Sequence, residues 1–367
     1  MKRCGIFVFF NEKGIVGNYV EELLKKLDEI VEKLIVIVNG EIRNDEKLKL
    51  YKYSNTILQR DNIGFDGGAY KDVIVSLLSK GAWEQWDELL LINDTFYGFF
   101  FSWNEIFSVM NGRSCDFWGI SSHPGGREAF LKGEIVPPHI QSYFILIKKR
   151  MLSHYTFYQF WRNLKYPKDY IEAIKNFEIN FTVYFDKNGF QWESWLDVQK
   201  AKFGINLNQL DAWITQLHFP VLKRKMYKLQ SYLSMKKIFQ YIDKFTDYPV
   251  EVIYEDIYLR SIEGKTRPYN PEQIKRFCKE YEEIFIFGNG IYAKNIEHFL
   301  IDNGIFICGN IVSKMDSEID RVYELEEFEV KPRQGIIVAL NEKHLKEVND
   351  SIKKKVPSKQ LIIPIYD

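Results

Sequence analysis

Arg60-Asp61-Asn62-Ile63-Gly64-Phe65-Asp66-Gly67-Gly68-Ala69-Tyr70-Lys71 leads out of a short β-type run, Thr56 to Arg60, and into a helix-forming stretch over 69–78. Further on, Glu88-Leu89-Leu90-Leu91-Ile92 is an apolar strand that ends abruptly in Asn93-Asp94-Thr95. Unbroken Leu and Ile runs of this length mark strands of a parallel sheet covered on both faces. Working outward, residues 3–10 form another apolar strand, and Leu34-Ile35-Val36-Ile37-Val38 a further one, closed by the turn pair Asn39-Gly40. Between them Val16, Val20, Leu23, Leu24 and Leu27 recur with helical spacing. The order β-α-β-β-α-β predicts an α/β fold, an open and mostly parallel sheet with helices on both faces. Ligands of such sheets bind beyond the carboxyl ends of the strands. The end of strand 34–38, the loop 60–68 and Asn93-Asp94-Thr95 all fall on that edge.

The chain has 367 residues, 46% of them hydrophobic, with a formal net charge of +0. That is enough for two domains with real cores, and no global charge argues for nucleic acid. Cys4, Cys115, Cys278 and Cys308 form no CxxC pair and no zinc spacing, as suits a reducing cytosol. The first ten residues are basic and then apolar, but Asn11, Glu12 and Lys13 interrupt them, so they read as a strand rather than a signal peptide. No apolar stretch reaches transmembrane length. All eight Trp lie between Trp83 and Trp213, and from about residue 214 onward the composition changes.

Several residues are suited to chemistry. In the loop, Gly64, Gly67 and Gly68 permit close backbone approach, Asn62 and Asp66 can hydrogen-bond a base or ribose, and Arg60 can meet a phosphate bidentately. The competing account is a strand-to-helix turn rich in turn formers. Asn93, Asp94 and Thr95 at a strand end suit a divalent ion bridging two phosphates, or else a simple Asx turn. With one carboxylate there, Mg2+ or Mn2+ on Asp94 is compatible with the sequence without being required by it. Strands follow at Asp116-Phe117-Trp118-Gly119-Ile120 and over 142–147, with a polar loop from Ser121 to Pro138 between them. Alternation puts His139 and Gln141 on one side, where they bind sugar hydroxyls, or His139 serves as a metal ligand, or the histidine is simply hydrogen-bonded at a sheet edge. Glu178, among Phe177, Ile179, Phe181 and Val183, is a candidate for a raised pKa and general-base duty, against the plainer account of a surface glutamate. Helices are predicted around 152–163, 168–185 and 205–217.

From Val221 to Phe245 the chain reads as a basic amphipathic helix carrying Lys223, Arg224, Lys225, Lys228, Lys236 and Lys237. It serves either as a solvated bridge between domains or as a docking face, over 221–240, for an anionic membrane. Past residue 280 a second α/β unit begins, with Gly288-Asn289-Gly290 after a strand. Ala293 stands where a dinucleotide fingerprint has its third glycine, so this motif is weak.

Five spaced motifs then carry a resemblance. They are Asn62-Ile63-Gly64-Phe65-Asp66 with Gly68-Ala69-Tyr70-Lys71, Leu90-Leu91-Ile92-Asn93-Asp94-Thr95 with Tyr97-Gly98, Asp116 to Ile120, His139 to Phe144, and Phe177-Glu178-Ile179. In this order they resemble the rhamnan synthesis F family of bacterial polysaccharide glycosyltransferases, over about residues 1–225; Pro220-x-x-Lys223-Arg224 is similar to that family's end. The resemblance implies a GT-A-like fold and a nucleotide-sugar donor, rhamnose or a related hexose such as galactofuranose. Asn93-Asp94 departs from the Asp-x-Asp of general GT-A enzymes.

Together these readings predict a GT-A-like domain over 1–220, a basic helical linker over 221–275 and a small Rossmann-like domain over 276–367. The expected reaction is inverting transfer to a growing cell-surface polysaccharide, on a lipid-linked or oligosaccharide acceptor. Glu178 and then Asp116 are the base candidates, while Trp118, His139 and Gln141 are expected to bind the acceptor. The chain is expected in the cytoplasm, peripheral at the inner face of the membrane. The alternative is a non-catalytic nucleotide- or carbohydrate-binding regulator with the C-terminal unit as sensor.

Overall fold

The computed structural model describes residues 1–78, 83–128, 131–196, 210–229, 232–262, 271–315, 320–340 and 342–363. The helix expected over 205–217 falls outside the described residues up to 209 and is observed over Leu210–Leu217. Two compact units are present: Met1–Asn206 with His218–Lys225, and Leu207–Leu217 with Met226–Asp367.

The first unit contains strands β1 (Arg3–Phe10), β2 (Lys33–Asn39), β3 (Thr56–Arg60), β4 (Glu88–Asn93), β5 (Phe96–Gly98), β6 (Phe117–His123), β7 (Gly126–Glu128), β8 (Glu134–Val136), β9 (His139–Ile140), β10 (Phe144–Lys148), β11 (Trp192–Leu196) and β12 (Val221–Lys223). Its main sheet runs β11-β6-β10-β4-β1-β2-β3, with β9 beside β6. β1, β2, β3 and β4 are mutually parallel, and β10 lies antiparallel between β4 and β6. Central β4 is buried at all six residues, which is why it has no polar residue between Glu88 and Asn93. The sheet is the open, mostly parallel α/β arrangement that the strand pattern predicted.

One face buries Ile6, Val8, Ile35, Ile37, Leu89 and Leu91 against aromatic residues of helices Phe65–Leu78, Tyr155–Asn163 and Asn180–Lys187. On the other face Phe144 meets Trp103 and Trp118, and Trp118 meets Phe107; Trp103 and Phe107 lie on helix Trp103–Asn111. Helices therefore cover both faces. Six tryptophans, Trp83, Trp86, Trp103, Trp118, Trp161 and Trp213, are buried, so most of the Trp excess is core.

The sequence pattern put a basic helix from Val221 onward. Instead Val221–Lys223 is a strand, antiparallel to β5 with Leu222 opposite Tyr97, and the helix begins at Tyr232. Val221 and Leu222 are fully buried, and that burial outweighs the helical spacing of their neighbours.

In the second unit β13 (Glu283–Phe287), β14 (Gly309–Val312), β15 (Val322–Glu324), β16 (Gln334–Val338) and β17 (Leu361–Ile362) form a parallel sheet, ordered β15-β14-β13-β16-β17. Two apolar clusters pack on it, one through Ile284 and Ile286, the other through Phe285 and Phe287. Gly288 has φ +121°, and a Cβ there would stand 2.7 Å from the Ala339 carbonyl oxygen, so the Gly-Asn-Gly run is first of all a tight strand-to-helix turn.

Candidate active site

At the carboxyl end of β4 one amide organises the surroundings. Asn93 Oδ1 accepts from the Thr95 N–H at 3.1 Å and from Thr95 Oγ1 at 2.7 Å, closing an Asx turn. Its Nδ2 donates to Asp66 Oδ2 at 2.7 Å. Asp66 lies in the first turn of helix Phe65–Leu78. Burial, and then the nearby charge of Asp94, push its carboxyl up to about 7 against the hydrogen bond from Asn93. The turn and the adjacent loop thus meet, as expected from their shared sheet edge.

Asp94 is only 6% exposed. Its Oδ2 accepts from Tyr19 Oη at 3.0 Å and from Arg224 Nη1 at 3.3 Å. Arg224 also donates through its backbone N–H to the Thr95 carbonyl at 2.9 Å, and its guanidinium lies 4.3 Å from the Tyr19 ring centroid. Residues 130 positions apart in sequence are thus brought together.

A third group gathers on a π-helical turn, Ile174–Ile179. Such turns recur at functional sites because they re-aim a side chain. Glu178 Oε2 accepts from the Ser142 N–H at 2.9 Å and from Ser142 Oγ. Its Oε1 lies 3.8 Å from His139 Nε2, an ion-pair distance rather than a hydrogen bond. Burial alone would raise the Glu178 carboxyl, but His139, the charge of Lys223 and the Ser142 donors bring it down to about 2. Lys223 answers in kind: burial depresses its ammonium to about 8, while Glu178 holds it up. The Lys223 Nζ sits 4.7 Å from the Tyr143 ring centroid.

The expected raised pKa of Glu178 is therefore corrected. The side chains of Phe177, Ile179 and Phe181 pack into apolar clusters, while Ser142, His139 and Lys223 around the carboxylate stabilise its charge. Asp116 is corrected as well. It lies at the amino end of β6, the sheet edge opposite Asn93, bound by Nε and Nη2 of Arg150 and by the Gln191 N–H at 2.8 Å. Burial would raise its carboxyl, but Arg150 lowers it below its ordinary value, and a carboxylate so held is a structural anchor. Trp118 is 0% exposed in the core and cannot reach a sugar.

Arg60 does not face a ligand either. Its Nε donates to Asp72 at 2.8 Å, its Nη1 to Asn39 Oδ1 at 2.7 Å and its Nη2 to the Ile63 carbonyl at 2.7 Å, clamping the loop. The glycines answer to packing: a Cβ at Gly67 would stand 2.9 Å from Phe177 Cγ, and one at Gly68 2.6 Å from the Ile63 oxygen. Gly64, at φ +77°, is followed by Phe65 at +53°, so the chain enters the helix through two left-handed residues. Asn62 and Thr95 are exposed at the edge.

His139 is 3% exposed, donates through Nδ1 to the Pro137 carbonyl at 2.8 Å and stacks on His123. Gln141 Oε1 accepts from Ser121 Oγ at 2.7 Å. Both face partners within the protein. Tyr19, Ser142, Lys223 and Arg224 are site residues that pattern reasoning missed. A signal for the last two existed, since they close the last motif of the family resemblance.

The residues fit a protein-held divalent metal poorly. Asp94 Oδ2 is bonded to Tyr19 and Arg224, Asn93 Oδ1 is committed to Thr95, and no group of three or more His, Cys, Asp or Glu suited to a metal exists among the described residues. Also among the described residues, no helix is long and apolar enough to cross a membrane.

Residues 34–269 match the family model of rhamnan synthesis protein F, and the chain belongs to that family. It is the family that the five spaced motifs resemble. An uncharacterized protein of Sinorhizobium fredii, y4gN, is 24% identical over 224 residues, 58% of this chain and 55% of that protein. The chain thus spans about half the length of the curated relative it matches. Among solved structures, a 4-diphosphocytidyl-2C-methyl-D-erythritol synthase aligns with a TM-score of 0.34 and 16% identity, over 59% of this chain and 98% of that one. The apo glycosyltransferase GlyE of Streptococcus pneumoniae TIGR4 aligns with a TM-score of 0.32 and 11% identity, over 97% and 99%.

Proposed function

We infer that the chain transfers rhamnose, or a related hexose such as galactofuranose, from a nucleotide sugar to a growing cell-surface polysaccharide, with inversion at the anomeric carbon. The observation that carries this reading is the knot of Asp66, Asn93 and Asp94 at the carboxyl edge of the parallel sheet in a chain of the rhamnan synthesis family. In this reading the donor lies across Asn93-Asp94-Thr95 and the exposed tip of the loop at Asn62. Asp66 is the carboxylate suited to take the acceptor's proton, because a base works best when its pKa lies near the working pH. Glu178, held charged, orients Ser142, His139 and Lys223 instead.

The acceptor is lipid-linked or an oligosaccharide, and the chain works at the inner face of the membrane. Lys223 and Arg224 turn into the site, so any docking on anionic lipid rests on exposed cations such as Lys225. Co-sedimentation with anionic liposomes, lost on Lys225→Glu, tests that part. The reaction itself is tested by incubating the full chain with a panel of nucleotide sugars and following transfer or donor hydrolysis. Asp94→Ala should abolish turnover of any accepted donor. Full activity in that variant would overturn the donor-site assignment.

A further inference from the structure

We propose that Lys223 and Arg224 bind the donor's diphosphate and stabilise it as the leaving group, the task otherwise given to a protein-held divalent cation. This rests on the glycosyl-transfer reading above. β12 buries Val221 and Leu222 against β5 and then delivers Lys223 and Arg224 to the carboxyl edge of β4. The two side chains diverge. Arg224 reaches Asp94 and the Tyr19 ring, while Lys223 lies over Tyr143 within the field of Glu178. Both cations therefore lie near the strand end, Arg224 beside Asp94 and Lys223 beside Tyr143.

The contacts are of a kind an anion can displace. Arg224 Nη1 lies 3.3 Å from Asp94 Oδ2 and 3.3 Å from the Asp94 carbonyl oxygen, long for charge-assisted bonds, whereas a guanidinium fork favours shorter bidentate pairing. A diphosphate offers that pairing. Lys223 is a cation half withdrawn from water, and added negative charge stabilises it. In the step itself the bond between the anomeric carbon and the β-phosphate oxygen breaks. Its electron pair stays on that oxygen, where the two cations meet the developing charge. The acceptor oxygen bonds to the anomeric carbon, and its proton passes to Asp66.

Isothermal calorimetry on the full chain with UDP, GDP, dTDP and CDP, in EDTA and again with Mg2+ or Mn2+, tests this. At least one diphosphate should bind in EDTA. Arg224→Gln and Lys223→Gln should each weaken it by roughly tenfold or more. Arg224→Lys should lie between, Lys225→Gln should match wild type, and thermal melts should show all variants folded. With an accepted donor, Arg224→Gln should lower kcat by a larger factor than it raises KM, since the charge develops in the transition state. Binding that needs the metal and ignores Arg224→Gln would overturn the proposal while leaving glycosyl transfer standing. Binding of none of the four, with no donor turned over, would overturn both.

Discussion

Asp66 and Glu178 are carboxylates of one site held in opposite protonation regimes, and each makes a testable demand. Asp66 is raised from 3.8 to about 7, so the folded chain holds its proton more tightly than the unfolded chain. Folding stability is then lost as pH rises from about 4 to about 7. Asp66→Asn removes the buried charge while keeping an acceptor for Asn93. It should stabilise the protein by about 1–3 kcal/mol at pH 8, with little gain at pH 4, and should abolish transfer. Thermal melts across that range check it, and an unchanged melting temperature at pH 8 would refute it. Glu178 is lowered from 4.5 to about 2, so its contribution is present above about pH 4.5 and is lost as pH falls towards 2. Glu178→Gln leaves Lys223 without its counter-charge. It should cost roughly 2–4 kcal/mol in urea unfolding at pH 7, and the gap to wild type should close on acidification. Neither regime was legible in sequence, because a pKa is set by groups such as Ser142, His139 and Lys223 that only the fold brings near.

At the scale of elements, the loop 60–68 and the helix after it were legible as a unit, but the reason for the glycines was not. Gly67 sits under the Phe177 ring of the π-helical turn. A methyl group there overpacks the contact, and Gly67→Ala should destabilise by roughly 1–3 kcal/mol. Phe177→Leu should relieve part of that cost in the double variant. A double-mutant cycle of unfolding energies reads the coupling directly, and strict additivity would mean the two do not press on each other. β12 was the element missed. Three residues paired with the three of β5 carry no periodicity of their own, and the lysines and leucines that follow impose a helical pattern on the whole stretch. Short strands of this kind are decided by the partner that buries them, not by local propensity.

At the scale of the molecule, the chain divides into two compact units, the second of which, Leu207–Leu217 with Met226–Asp367, has its own parallel sheet and its own apolar clusters. A fragment spanning 271–367 should therefore show one cooperative thermal transition by circular dichroism; a broad, non-cooperative melt would show that its core is incomplete. What the sequence by itself determined was the parallel sheet, the edge that carries the candidate site and the family, because continuous apolar strands and spaced motifs are local properties of the chain. What only the tertiary structure decided was the charge of the site. It placed Lys223 and Arg224 beside Glu178 and Asp94, retired Asp116 and Trp118 to the opposite edge and the core, and turned Arg60 into a clamp. Electrostatic partners are fixed by distance in space, and at this site those distances span most of the first unit's sequence.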